Sequence, residues 1–171
     1  MLLHETERPS QEVMTPEGLC NLIEFRYQRD IKDSAEKISE YLERNAQVLE
    51  LSDSVSELVH MLFLKLKDEV DHLFRKETMI IFPCIKHHYD GTEKVIPTKC
   101  VENTVYKNIQ GTHRVILNLM QKLRQVLDNY QTDPSWSKDW TECLDEMFTM
   151  ENKIYNWIHL EQNYLYPKIN S

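Results

Sequence analysis

The chain has 171 residues, a formal net charge of −8, and only three glycines and six prolines. That length is ample for one domain with a sizeable core, and the composition favours long helices over a sheet. The acidic balance argues against a nucleic-acid partner, whose phosphates need a basic face, and no stretch approaches the roughly 18 to 20 apolar residues of a membrane span.

Residues 1–14 are polar and aperiodic, which predicts a flexible tail ahead of a single domain spanning 15–171. Leu2 and Leu3 are followed at once by His4, Glu5, Glu7 and Arg8, so no secretory signal is visible and a cytoplasmic location is expected. Cys20, Cys84, Cys100 and Cys143 form no C-x-x-C pair. In that compartment reduced, buried thiols are the expected state.

Thr15-Pro16-Glu17 reads as a helix start, with Thr as N-cap, Pro at the first helical position and an acid in the first turn. This helix is expected to reach about residue 48, with an inner stripe of Gln28, Ile31, Ala35, Ile38 and Leu42. A second start at Ser52-Asp53-Ser54 predicts a helix to about residue 87, with Leu62, Leu66, Val70, Leu73, Glu77 and Ile80 inside. The stretch 89–97, with its Asp90-Gly91 pair and Pro97, reads as the loop between two halves. A third helix is expected from near Thr98 to about Tyr130, facing inward through Ile109, His113, Ile116, Met120, Leu123, Leu127 and Tyr130. After a turn at 132–135, a fourth begins near Ser137 with Trp140, Leu144, Met147, Met150, Ile154, Trp157, Glu161 and Leu165 inside. Four such helices on short loops predict an all-α, antiparallel up-down four-helix bundle.

One motif occurs twice. Glu77 is followed by four residues and then Phe82-Pro83-Cys84-Ile85, and Glu161 by four residues and then Tyr166-Pro167-Lys168-Ile169, 84 residues later. The repeat implies two similar helix pairs, each closing on a helix that carries a carboxylate and stops at a proline.

Each apolar stripe also contains one strongly polar residue: Gln28, Glu77, His113 and Glu161. If they meet in one layer, two carboxylates are buried there and must be paired, protonated or bound to a cation. Inward-facing carboxylates and imidazoles are how helical bundles build metal centres.

Phe25-Arg26-Tyr27, Lys76-Glu77 with Phe82-Pro83, and Ile158-His159-Leu160-Glu161-Gln162-Asn163 with Tyr166-Pro167 resemble the hemerythrin-like family over about residues 15–169, and within it the di-iron proteins for repair of iron centres. The resemblance implies an oxo-bridged di-iron site with histidines on all four helices and two bridging glutamates. The glutamates match Glu77 and Glu161, and the third-helix histidine matches His113. The first-helix histidine falls on Gln28, while Leu73 and Trp157 stand where histidines precede the glutamates by one turn. Glu69, two turns before Glu77, and His72, which a π-bulge between 72 and 77 would turn inward, are the additional candidate donors. His60, His87, His88 and His159 are expected to lie off the site.

The leading expectation is a hemerythrin-like bundle with a degenerate di-iron site, metal-free or weakly metal-binding, acting through an unknown protein partner or in regulation, and more a binding protein than an enzyme. The alternative is a non-haem iron protein in which Glu77, His113 and Glu161, with Gln28 or Glu69, hold the metal for iron-centre repair or for binding O2 or NO. A third reading is a structural bundle that forms homodimers.

Overall fold

Thr15, Ser52 and Ser137 each accept a hydrogen bond from a backbone N–H three residues ahead, from Gly18, Val55 and Trp140 respectively. Three helices therefore begin where their caps predict. The computed structural model describes residues 14–45, 50–88 and 100–169, and those residues form four long helices with no strand among them. They are α1 (residues 16–44), α2 (53–88), α3 (Asn103–Val126) and α4 (138–169).

The Pro16–Leu22 end of α1 packs on the Phe82–His88 end of α2, α2 runs along α3, and α1 runs along α4. At the opposite end the Ser137 N–H, just before α4, donates to the Glu50 carboxylate just before α2. The arrangement is an antiparallel up-down bundle. The inward stripes are buried as expected, from Ile31, Ala35, Ile38 and Leu42 on α1 to Trp140, Leu144, Met147, Met150, Ile154, Trp157 and Leu165 on α4, and all join one core. No helix among the described residues is long and apolar enough to cross a membrane.

Three helices contain a wider π-helical segment, Ile23–Gln28 in α1, Glu77–Ile81 in α2 and Glu161–Leu165 in α4. The two copies of the repeated motif thus share a local structure, each π segment opening on its glutamate. This corrects two expectations. The extra residue advances the phase of α2, so Ile80 is 66% exposed and Ile81, at 1%, takes its place in the core. The prolines also do not stop their helices, since α2 continues through Pro83 to His88 and α4 through Pro167 to Ile169. The N–H groups of Phe82 and Tyr166 reach back five residues, to the carbonyls of Glu77 and Glu161. The widened turn changes the carbonyl positions against which a proline ring would otherwise strike.

Other boundaries also move. α3 starts at Asn103 rather than near Thr98, because Cys100 is disulfide-bonded to Cys84 and Val101 is tucked into the core, which holds residues 100–102 out of helical form. It ends at Val126 rather than Tyr130, where Asp128, Asn129 and Tyr130 take positive φ angles of 48°, 56° and 60°. α1 ends at Arg44, with the Asn45 side chain bonded to the Tyr41 carbonyl. The expected tail at 1–13 and loop at 89–97 lie outside the described residues. Met14 is packed against the core, and its carbonyl accepts a 2.6 Å hydrogen bond from Lys168. The disulfide corrects the expectation of four reduced thiols, while Cys20 and Cys143 are buried and free.

Candidate functional site

Gln28, Glu77, His113 and Glu161, one from each helix, are at most 1% exposed. Their stripes converge near the end of the bundle where α1 begins and α2 and α4 close. Each π segment bounds the layer, with Gln28 at the end of its segment and Glu77 and Glu161 at the start of theirs.

Hydrogen bonds fix the groups into two linked pairs. The Thr78 hydroxyl donates to Gln28 Oε1 at 3.0 Å, which leaves the Gln28 amide to donate to Glu77 Oε1 at 3.4 Å. The Tyr166 hydroxyl donates to Glu77 Oε2 at 2.7 Å. On the other side, Gln162 Nε2 lies 3.2 Å from His113 Nδ1 and His113 Nε2 lies 2.8 Å from Glu161 Oε1. With the amide donating to Nδ1, the imidazole carries its proton on Nε2 and gives it to Glu161. Glu161 Oε2 and the Trp157 indole nitrogen are buried without a hydrogen-bond partner.

Electrostatics follow from the burial. Desolvation, then the charge on Glu161 and the hydrogen bond with it, push the Glu77 carboxyl well above its ordinary range, with Tyr166 and His113 pulling the other way. Burial raises Glu161 to about 7, against a hydrogen bond with Glu77 that lowers it. Burial depresses His113 to about 4, with the Glu77 charge opposing. Burial, with the charges of Glu161 and Glu77, also keeps the Tyr166 phenol protonated. The layer therefore contains a neutral imidazole, a neutral phenol and two carboxyls placed to share protons.

The remaining candidates lie elsewhere. Leu73 and Trp157 are 2% and 0% exposed, and the indole packs edge-on against both Phe74 at 4.7 Å and the His113 ring at 5.7 Å. His72 is exposed, because the π segment of α2 begins at Glu77 and leaves the turn from 72 to 77 in ordinary α form. Glu69 is half-buried and makes no hydrogen bond to the layer. His60 is half-buried on α2, while the exposed His159 accepts from its neighbour Asn163. Among the described residues, the one group of three His, Cys or acidic residues with ligand atoms all within 4.8 Å is Cys84, His88 and Cys100.

Tyr166, Thr78 and Gln162 belong to the layer but were not singled out by spacing. Tyr166 had a signal in the repeat: it stands where the first copy has Phe82, and a buried phenol needs a hydrogen-bond partner that a phenyl does not. A second buried polar group, Glu151 on α4, is 2% exposed and takes a 2.9 Å hydrogen bond from Arg124 on α3.

Against known families, the Hemerythrin HHE cation binding domain matches residues 26–169. No curated protein matches the chain.

Proposed function

The chain belongs to the hemerythrin HHE cation-binding family, and from that premise we propose that it is a member whose di-iron site has degenerated, so that the bundle acts metal-free or weakly metal-bound in an interaction or regulatory role. The observation that carries this reading is that the donors of the layer are already spent on one another. His113 Nε2, a nitrogen an imidazole would offer to a metal, holds a proton directed at Glu161, and Gln28 and Tyr166 both donate to Glu77. Trp157 fills, against His113, a position where the family resemblance implies a ligand, and Leu73 does the same in the other copy of the repeat. A donor set of two carboxyls and one imidazole does not fit two irons, and we assign no step to such a centre. Protons take the place of cations in balancing the buried carboxylates.

One observation favours a second reading. Glu161 Oε2 is buried, unpartnered and part of the carboxyl pair, as an oxygen awaiting a single ion would be. On that reading Glu77, His113 and Glu161 hold one non-haem iron with water, by resemblance to the family's repair and O2- or NO-binding members. In either case we assign the protein to the cytoplasm, with a protein partner or a second copy of itself as the binding target. Phe25, Met79 and Ile80, exposed on the π segments at 64%, 70% and 66%, are apolar side chains available to such a partner.

Elemental analysis of protein purified from iron-supplemented cells, with an absorption spectrum, separates the readings. The degenerate site predicts a folded protein without stoichiometric metal. Near two irons per chain with oxo-to-iron bands would overturn it, and about one ion, lost in Glu77→Ala or His113→Ala, would establish the second reading.

A further inference from the structure

Cys84 and His88 are four residues apart on the last turns of α2, so their side chains rise from one face. Cys100 stands on the bend before α3, its Cα 5.7 Å from that of Cys84. The three ligand atoms, two sulfurs and an imidazole nitrogen, lie within 4.8 Å of one another, and all three residues are half-buried. Flanking side chains fix both supports independently of the disulfide. Ile85 is fully buried between Cys84 and His88, and Val101, next to Cys100, is 1% exposed. Reduction of the bond therefore leaves two thiols and an imidazole facing the same small volume.

We propose that Cys84, His88 and Cys100 form a redox-gated site for a thiophilic divalent cation of the Zn2+ type, separate from the polar layer. Two thiolates and one imidazole are a common ligand set for zinc, with water in the fourth tetrahedral position. Tetrahedral bonds of about 2.0 to 2.3 Å separate neighbouring donors by about 3.5 Å, inside the 4.8 Å spacing of this group.

The chemistry balances in both directions. A small dithiol reduces the Cys84–Cys100 bond, giving two electrons and two protons to the cysteines as its own sulfurs close into a disulfide. The cation then displaces both thiol protons on binding. In reverse, an organic disulfide takes two electrons from the bound thiolates and leaves as two thiols after gaining two protons. The Cys84–Cys100 bond re-forms and the cation is released. Cys20 and Cys143 take no part, since burial raises both thiols, Cys143 to about 12.

The test uses the full chain in two states, oxidised and phosphine-reduced, each titrated with Zn2+ against a chromophoric chelator and with Co2+ as a spectroscopic probe. The reduced chain is expected to bind one ion at least about 100-fold more tightly than the oxidised chain, with sulfur-to-cobalt charge-transfer absorption. Cys84→Ser and Cys100→Ser should each abolish that absorption, and His88→Gln should weaken binding by about 10-fold. Equal binding in both redox states, or no binding after reduction, would make the bond purely structural and overturn the proposal. The two states share one sequence, so their comparison stands even if a serine variant fails to fold. Cobalt bound without sulfur absorption and lost in Glu161→Gln would place the ion in the polar layer instead, and would also refute it.

Discussion

Glu161→Gln replaces a buried acid by an amide of the same shape whose oxygen can still accept from His113 Nε2. It removes only the ability to ionise. In the folded chain burial lifts the carboxyl from 4.5 to about 7. Between those values the folded protein keeps a proton that the unfolded chain has released, so stability falls as pH rises through this window and stays lower above it. At about 1.4 kcal/mol per pH unit, the loss is about 3 kcal/mol. With Glu161 fully buried, no discount for solvent screening applies. His113 works in the opposite sense: depressed to about 4 from 6.5, it makes the folded state gain stability as pH rises across that interval. That contribution is common to both proteins and cancels to first order in their difference. Urea unfolding followed by circular dichroism, from pH 4.5 to about pH 8, should show the variant gaining about 3 kcal/mol on the wild type across the range. Because Glu77 titrates with Glu161, the gain belongs to the pair rather than to one residue. Parallel curves would refute the reasoning, for they would mean that the layer already holds a permanent cation or is open to water.

Three further outcomes are expected. Gln28→His with Leu73→His and Trp157→His should give a protein that takes up iron and shows oxo-to-iron absorption; a folded triple variant without iron would count against these replacements as the cause of the lost centre. Arg124→Ala leaves Glu151 buried with both carboxylate oxygens unpaired and should cost about 2 kcal/mol in urea unfolding, most of it recovered by adding Glu151→Gln. Ser137→Ala removes the cap of α4 and should cost about 1 kcal/mol, whereas Leu64→Ala, at a residue 42% exposed, should cost less in the same assay.

The parts of this protein that follow from periodicity were legible in the chain. Thr15, Ser52 and Ser137 cap their helices because a side-chain oxygen there meets a free N–H, a local matter that needs no tertiary context. The convergence of Gln28, Glu77, His113 and Glu161 was legible because each interrupts a stripe that must face inward. What failed did so where a helix departs from 3.6 residues per turn or where distant groups meet. Ile80 was assigned to the core by ordinary α phase, which the π segment at 77–81 breaks. Cys84 and Cys100 meet only through the relation of α2 to the bend before α3, which their spacing does not encode. Glu151 reads as a surface carboxylate until Arg124 is found beside it.

The π segments also bear on which changes of chain length the bundle tolerates. Each holds one residue more than an α turn would, and everything beyond it faces the correct way only because that residue is present. Deleting one position between Thr78 and Ile81 would rotate the rest of α2 by about 100°, carrying Phe82 and Ile85 out of the core and swinging Cys84 and His88 away from Cys100. The same holds beyond Glu161, where Leu165, Tyr166 and Ile169 are buried. In this molecule a loop can lengthen at little cost, but these short stretches of helix must be conserved in number even where their identities are free to vary.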